Sequence, residues 1–402
     1  MSRRRARFKT QLTDLLASLD EAGIQPDQAV EESRLRARAA LRDFLLPRLQ
    51  EPGLPLVVAV IGSTGAGKST LLNSLAGREI SVSSVIRPTT GESTVWASPW
   101  HAHRFKRWGR VVVDDHPLTE AMTMVDTPDL DSDLVSHRAA ARAAAATADA
   151  VILVTSAARY GDASPWEALE WIGERRLAIV LNRLPSRSRG ARSDLMSRLR
   201  RMGRPEVPVL TISEQVVDRG EGRLRHQAVQ RLRSLLVQWT GETAAIREAA
   251  FRQVAGATAD EVRAVEETLR ARGKARERLQ PVVERSYAGG AEAVGDRLRA
   301  LRRRRFWRRA ASFVPSEGDL RQAQIEAALR SREEAGNLGI GGELFDPVET
   351  LVLEANPEAE WRELFPAAGA KFLDLYLPWS EELLARVSSG RAALIDTEYP
   401  HE

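Results

Sequence analysis

Hydrophobic and polar positions follow three successive patterns along the chain. In the first fifty residues, leucines recur at intervals of three and four, as in Leu12, Leu15, Leu16 and Leu19, which predicts amphipathic helices. From Leu54 to about residue 240, short β-branched runs alternate with helical stretches. Beyond that point the strand-like runs cease and the helical spacing returns. The sequence therefore predicts a helical segment, an alternating region and a second helical region.

The alternating region predicts a parallel sheet. Its strand-like runs are LVVAVI, MTMVDT, AVILVTS, LAIVLN and VPVLTIS. Helix-like segments lie near 68–77, 134–148, 164–175, 190–202 and 222–238. Strands that alternate with helices are typical of α/β proteins, so the predicted fold class is α/β with a doubly wound, mostly parallel sheet. The predicted domains are an N-terminal helical segment (1–53), the α/β domain (54–240) and a C-terminal helical domain (241–402).

Composition excludes several classes of protein. The chain has 402 residues, of which 43% are hydrophobic and 28% are charged, enough to build a sizeable core. No apolar run approaches the roughly 18 residues that a transmembrane helix needs. The start, MSRRRARFKT, lacks the apolar core of a signal peptide. Cysteine is absent, which excludes disulfides and thiolate catalysis and fits a cytoplasmic location.

A glycine-rich loop after the first predicted strand carries the clearest chemical signal. Its sequence, GSTGAGKST, matches G-x-x-x-x-G-K-[ST] in the required setting between a strand and a helix. Glycines let backbone N–H groups turn toward phosphates, and the helix N-terminus adds partial positive charge. Lys68 is predicted to reach the β and γ oxygens, and Ser69 to bind Mg²⁺. The predicted nucleotide-binding residues here are Gly62, Ser63, Thr64, Gly65, Ala66, Gly67, Lys68, Ser69 and Thr70.

Two further elements supply candidate Mg²⁺ ligands. The sequence RPTT at 87–90 offers a threonine hydroxyl for the metal and a backbone N–H for the γ-phosphate, with Thr89 and Thr90 both open as the ligand. Asp126 ends an apolar strand, where its carboxylate can hold Mg²⁺ through water. The predicted metal-binding residues are therefore Ser69, Thr89, Thr90 and Asp126.

Taken in order, GSTGAGKST, RPTT, VDTP and LNR resemble the sequence elements of translation-factor-class GTPases. The RPTT element with flanking helices is most similar to bacterial dynamin-like GTPases. The resemblance implies binding of GTP and Mg²⁺, hydrolysis controlled by self-association, and helices that relay the nucleotide state to a membrane or partner. Asn182 and Arg183 are predicted to approach the base, and Ser213, which ends the next strand, joins the predicted nucleotide-binding residues.

The sequence departs from this family at the base and at the reacting water. The usual N/T-K-x-D motif reads NRLP from Asn182, without the guanine-reading carboxylate, so ATP stays open as an alternative to GTP. Asp129 replaces the glycine after D-x-P, and Leu130 stands where Ras-like enzymes hold a water-positioning Gln. Dynamins place Gln and Ser in the P-loop, where this chain has Thr64 and Gly65. Slow hydrolysis is therefore predicted.

Three functions follow as alternatives. The first is a slow, Mg²⁺-dependent GTPase, with Lys68, Arg87, Thr89 and Thr90 as predicted catalytic residues and Arg87 as a cation supplied in cis. A second copy, binding through the nucleotide face, is one source of the missing group. The second alternative is a nucleotide-dependent scaffold with little hydrolysis. The third is a P-loop ATPase, although no LSGGQ-like signature accompanies the loop.

An arginine-rich segment, RLRALRRRRFWRR at 297–309, is the remaining candidate interaction site. Its interleaved apolar and aromatic residues suit anionic lipid headgroups, which predicts peripheral contact with a membrane. Pairing with the acidic residues within 340–402 of the same chain is the alternative. Nucleic acid is disfavoured because no helix-turn-helix, RRM or KH pattern accompanies the segment.

Overall fold

The computed structural model describes most of the chain. The described residues are 3–22, 28–51, 53–81, 93–131, 135–185, 190–214, 217–218, 223–303, 315–341 and 361–396. The chain divides into two compact units. The first unit comprises Met1–Thr13, Arg38–Ala259 and Ala393–Glu402, and the second comprises Asp14–Ala37 and Asp260–Ala392. The domain boundaries inferred from the sequence, after residues 53 and 240, stay a prediction.

The helices and strands alternate through the middle of the chain. The strands are β1 (Leu56–Gly62), β2 (Thr94–Ala97), β3 (Arg110–Val113), β4 (Met122–Asp126), β5 (Ala150–Ser156), β6 (Arg176–Leu184), β7 (Val209–Ser213) and the short β8 (Val217–Asp218) and β9 (Arg223–Leu224). The helices up to the last strand are α1 (Arg3–Glu21), α2 (Gln28–Ala40), α3 (Leu46–Gln50), α4 (Lys68–Ala76), α5 (Pro117–Ala121), α6 (Val135–Ala146), α7 (Ala163–Ile172) and α8 (Gly190–Arg201). The later helices are α9 (His226–Gly241), α10 (Thr243–Arg303), α11 (Glu317–Asn337), α12 (Trp361–Tyr376) and α13 (Glu381–Ile395). A π-helical turn covers Leu41–Leu45, and a 3₁₀ turn covers Ala102–Phe105.

Seven of the described strands form one sheet, in the order β3-β2-β4-β1-β5-β6-β7. Along β4-β1-β5-β6-β7 all neighbouring strands are parallel, whereas β2 runs antiparallel to β4 and parallel to β3. The carboxyl ends of β1, β4, β5 and β6 therefore meet at one edge, where ligands of open α/β sheets bind. The prediction of a mostly parallel sheet is confirmed.

Every residue of β1 is buried, because helices cover both faces of the sheet. Alternate residues of a strand point to opposite faces. Val58 and Val60 belong to a core completed by α4 and α9, whereas Ala59 and Ile61 belong to a second core with α6, α7 and α8. This double covering accounts for the continuous apolar run that predicted the strand. The sheet is doubly wound, as predicted.

The sequence pattern missed β2 and β3. Each strand has only four residues. β2 is fully buried but short, and β3 has three valines whose side chains are all at least partly exposed, so neither is the longer buried run that marked the other strands. The last helix of the α/β region was predicted near 222–238 but spans His226–Gly241, because Arg223–Leu224 pair with Val217–Asp218 as strands.

The second unit is helical and has its own core. Side chains of α10, α11 and α12 meet around Tyr287, Leu320 and Phe372. The buried carboxylate of Glu266 accepts hydrogen bonds from Arg391 and Ser388 of α13. Among the described residues, no helix is long and apolar enough to cross a bilayer.

Candidate functional site

The glycine-rich loop lies at the carboxyl end of β1, and α4 begins at Lys68. Gly65 and Gly67 have φ angles of 70° and 97°, in the left-handed region that favours glycine. A Cβ on Gly62 would lie 2.1 Å from the carbonyl oxygen of Val154, and one on Gly67 would lie 2.3 Å from Nδ2 of Asn182. Close packing against the backbone of β5 therefore favours glycine at position 62, and the positive φ angles favour it at positions 65 and 67.

Lys68 is nearly buried, with 6% of its side chain exposed. Its ammonium group donates to the carbonyl oxygen of Gly62 at 3.0 Å and forms an ion pair with Asp129. Both contacts hold Nζ over the loop rather than in solvent. The carboxylate that replaces the family's glycine therefore contacts the cation that the loop motif assigns to phosphate.

Asp126 lies at the end of β4, beside Val60 of β1. One carboxylate oxygen, Oδ2, accepts hydrogen bonds from Ser69 Oγ at 2.7 Å and Ser81 Oγ at 2.6 Å. Within the described part of the chain, the buried Oδ1 atom has no hydrogen-bond partner. Burial raises the pKa of Asp126, and the nearby ammonium of Lys68 opposes that shift only in part.

The residues around Asp126 fit a magnesium ion. Mg²⁺ prefers hard oxygen ligands and is commonly held by one or two carboxylates, waters and substrate phosphates. A buried carboxylate oxygen without a partner, next to a serine hydroxyl, offers that donor set. Ser81 is fixed by Asn73 of α4, whose Oδ1 accepts from the backbone N–H groups of Ile80 and Ser81 at 2.8 Å each.

Asn182 links β6 to the loop. Its Nδ2 donates to the carbonyl oxygen of Ala66 at 2.9 Å, and its Oδ1 accepts from the backbone N–H of Arg183 at 2.9 Å. Arg183 has a φ of 52°, the one positive value among the described residues other than glycine. Ser213 ends β7 and pairs in register with Leu184. The structure thus brings Asn182 and Ala66 together.

A second carboxylate, Asp131, contacts the loop from the segment after β4. Its Oδ1 accepts from the backbone N–H of Thr64 at 2.6 Å and from Thr64 Oγ1 at 2.8 Å, and its Oδ2 pairs with Arg159. Burial raises the pKa of Asp131, but the hydrogen bonds from Thr64 and the charge of Arg159 outweigh burial, and the net shift is downward. Sequence reasoning missed Asp131 and Arg159 because neither belongs to a motif.

The predicted site residues fall into two groups. Arg87, Thr89 and Thr90 lie outside the described residues. The loop at 62–70, Asp126, Asn182, Arg183 and Ser213 all lie at the ends of the parallel strands or in the segments that follow them.

The sheet order, the glycine-rich loop and the carboxylate facing Ser69 together define a P-loop nucleotide-binding domain. Residues 57–183 match the family model described as 50S ribosome-binding GTPase, so this part of the chain is a P-loop GTPase domain. The resemblance to P-loop GTPases is thereby confirmed. No curated protein sequence matches the chain significantly.

Several solved structures share parts of the fold at low similarity. An Era structure in complex with MgGDPNP and a segment of 16S ribosomal RNA is 18% identical, with a TM-score of 0.33, over 45% of this chain and 55% of that one. An oligomerised bacterial dynamin pair is 14% identical, with a TM-score of 0.37, over 98% of this chain and 79% of that one. The G domain of the FeoB iron transporter from T. maritima is 18% identical, with a TM-score of 0.27, over 46% and 99%. The chain thus spans about half of the Era chain.

Proposed function

We propose that the chain is a GTP-binding protein that requires Mg²⁺ and hydrolyses GTP slowly on its own. The observation that carries the proposal is the contact of Ser69 with Asp126, whose other carboxylate oxygen lacks a hydrogen-bond partner among the described residues, beside the P-loop lysine. In this proposal the loop amides and Lys68 bind the phosphates, and Ser69 and Asp126 hold Mg²⁺ with Thr89 or Thr90. Asn182 and Arg183 approach the base, with Ser213 nearby in the adjacent strand.

The surroundings of Leu130 favour slow turnover. Leu130 is buried, its backbone N–H donates to the carbonyl oxygen of Gly62 at 3.2 Å, and its side chain has no polar atom to orient a water. Thr64, in a position where dynamins have a polar group, is engaged with Asp131. The proposal therefore includes a second copy that binds through the nucleotide face and supplies the group that positions the attacking water. The same observations favour the second candidate, a nucleotide-dependent scaffold with little hydrolysis.

Phosphate release distinguishes the two candidates. We expect the rate per molecule to rise with protein concentration if self-association supplies the missing group. The same assay is repeated with anionic liposomes, because the proposal includes membrane contact through residues 297–309. In this segment, Arg297 and Arg299 have more than half of their side chains exposed. Absence of turnover under all conditions, with nucleotide still bound, would support the scaffold.

Asp126→Asn tests the metal site. The amide keeps the size of the carboxyl group but removes the charge that Mg²⁺ needs. We expect chelation of Mg²⁺ to weaken GTP binding by the wild-type protein. The variant should lose about 10- to 100-fold in Mg²⁺ affinity, so its GTP binding should respond little to chelation. Titration of GTP with Mg²⁺ or with EDTA measures this. Asp194→Asn, on the exposed face of α8, is the matched control; equal responses of all three proteins would contradict the metal assignment.

Asp129→Asn is expected to tighten nucleotide binding. A phosphate oxygen has to displace the Asp129 carboxylate from Lys68, so removal of its charge lowers the cost of binding. An increase of about three- to tenfold in affinity for GDP corresponds to roughly 0.7–1.4 kcal/mol. Equilibrium titration with a fluorescent GDP measures the change. Unchanged or weaker binding, in a variant that melts like the wild type, would refute the competition between Asp129 and phosphate.

A further inference from the structure

Arg159 lies beside the P-loop, although it belongs to no nucleotide-binding motif. It stands in a tight turn that follows β5, in which the N–H groups of Arg159 and Tyr160 both donate to the carbonyl oxygen of Ser156, at 3.0 and 2.9 Å. β5 is the parallel neighbour of β1, with Val154 paired to Gly62. The backbone therefore brings the Arg159 turn to the same edge of the sheet as the loop.

One carboxylate joins this arginine to the loop. Asp131 accepts from both the N–H and the hydroxyl group of Thr64, and its other oxygen pairs with Arg159. The side chain of Arg159 is 32% exposed and that of Asp131 is 25% exposed, so the pair is only partly shielded from solvent. The Asp131 carboxylate thus bridges the guanidinium group of Arg159 and the backbone N–H of Thr64 in the P-loop.

Two carboxylates contact the groups that a P-loop presents to phosphate. Asp129 pairs with Lys68, the cation of the motif, and Asp131 binds a P-loop amide and Arg159. Carboxylate and phosphate oxygens are bound by the same donors, namely backbone amides, ammonium groups and guanidinium groups. Lys68, which the loop motif assigns to phosphate, is paired with Asp129. Arg159 is paired in the same way with Asp131 beside the same loop, so it is a second cation available to an anion there.

We propose that Arg159 contacts the γ-phosphate of the bound nucleotide, after exchange of Asp131 for a phosphate oxygen, and that it supplies in cis the positive charge for hydrolysis. This inference rests on the proposed function. In the reaction, a water oxygen forms a bond to the γ-phosphorus as the bond to the β–γ bridging oxygen breaks. The electron pair of that bond leaves with GDP, and the water proton passes to the released inorganic phosphate. Arg159 offsets the negative charge on the transferring group.

Binding of two nucleotides tests the contact independently of hydrolysis. Arg159→Ala should weaken binding of the non-hydrolysable β,γ-imido analogue of GTP by about tenfold, because the guanidinium group meets only the γ-phosphate. Binding of GDP should change by less than about twofold. If both nucleotides keep wild-type affinity, or both lose it equally, the inference is overturned.

Three further variants separate this role from a structural one. Arg176→Ala, which breaks an ion pair with Glu242 at the opposite end of β6, is the matched control and should leave both affinities unchanged. Arg159→Lys should restore part of the affinity, since it keeps the charge without the planar fork. Asp131→Asn releases Arg159 without removing it, so the imido analogue should bind at least as tightly as to the wild type. Weakening by Asp131→Asn equal to that by Arg159→Ala would identify Arg159 as a support for Asp131 and refute the proposal.

Single-turnover hydrolysis supplies the second readout. Arg159→Ala should slow phosphate release by about 10²- to 10³-fold, within the range for removal of one transition-state contact. A wild-type rate in this variant would overturn the catalytic part of the proposal. If the wild-type protein binds no guanine nucleotide, the proposed function itself fails. If it binds nucleotide and Arg159→Ala is indistinguishable from it, only the inference about Arg159 fails.

Discussion

Replacement of Lys68 by alanine is expected to weaken binding of both GTP and GDP by about 100-fold or more, equivalent to roughly 2.7 kcal/mol. Lys68 carries the positive charge of the loop and is nearly buried, where electrostatic interactions are screened less than in water. The Asp129 carboxylate, left without its ammonium partner, would add repulsion toward a phosphate. Equilibrium titration with each nucleotide measures the loss.

Two controls accompany this variant. Lys106→Ala removes an exposed lysine of the same unit and should leave both affinities unchanged. A thermal melt of the Lys68→Ala protein without nucleotide shows whether it is folded. Binding within about threefold of the wild type, in a folded variant, would mean that the loop does not hold the phosphates.

Replacement of Asp149 by alanine is expected to cost about 3–5 kcal/mol of unfolding free energy. Arg48 and Asp149 form an ion pair of 2.7 Å in which only 5% and 1% of the side chains are exposed. The second Asp149 oxygen accepts from the backbone N–H of Val57 at 2.9 Å, at the second residue of β1. Removal of the carboxylate leaves a buried guanidinium group and a strand N–H without this partner. Urea denaturation measures the loss.

Comparison variants identify the origin of that cost. Asp194→Ala breaks an exposed pair with Arg198 and should cost less than about 1 kcal/mol. The double variant Arg48→Met with Asp149→Leu removes both charges, so it should be markedly more stable than Asp149→Ala alone. Equal losses in the exposed and buried variants would contradict an uncompensated charge as the cause.

Local sequence signals predicted the parts of the site that depend on a single segment. The P-loop is one continuous stretch between a strand and a helix. Gly62 packs closely against the backbone of β5, and Gly65 and Gly67 adopt positive φ angles. Asp126 was found because it ends an apolar strand, and the structure places it beside Ser69. The buried runs of β1 and β5 were equally clear because helices cover both faces of these strands.

Tertiary contacts explain what the sequence could not predict. Arg159 and Asp131 are 28 residues apart and meet because β4 and β5, the strands that precede them, both lie next to β1. Asp129 was recognised as a replacement for glycine, but its pairing with Lys68 depends on how the segment after β4 turns back over the loop. The edge strand β3 has three consecutive valines but only four residues and no fully buried side chain, so it does not form the long apolar run that marked the other strands.

A competition titration shows whether the P-loop binds guanine nucleotides. In the presence of Mg²⁺, wild-type protein is titrated with a fluorescent GDP, and unlabelled GTP, GDP and ATP are then added as competitors. We expect saturable binding that GTP and GDP displace more effectively than ATP at the same concentration, and that Lys68→Ala weakens by about 100-fold or more. Absence of binding by any purine nucleotide, or binding that survives Lys68→Ala unchanged, would contradict this expectation.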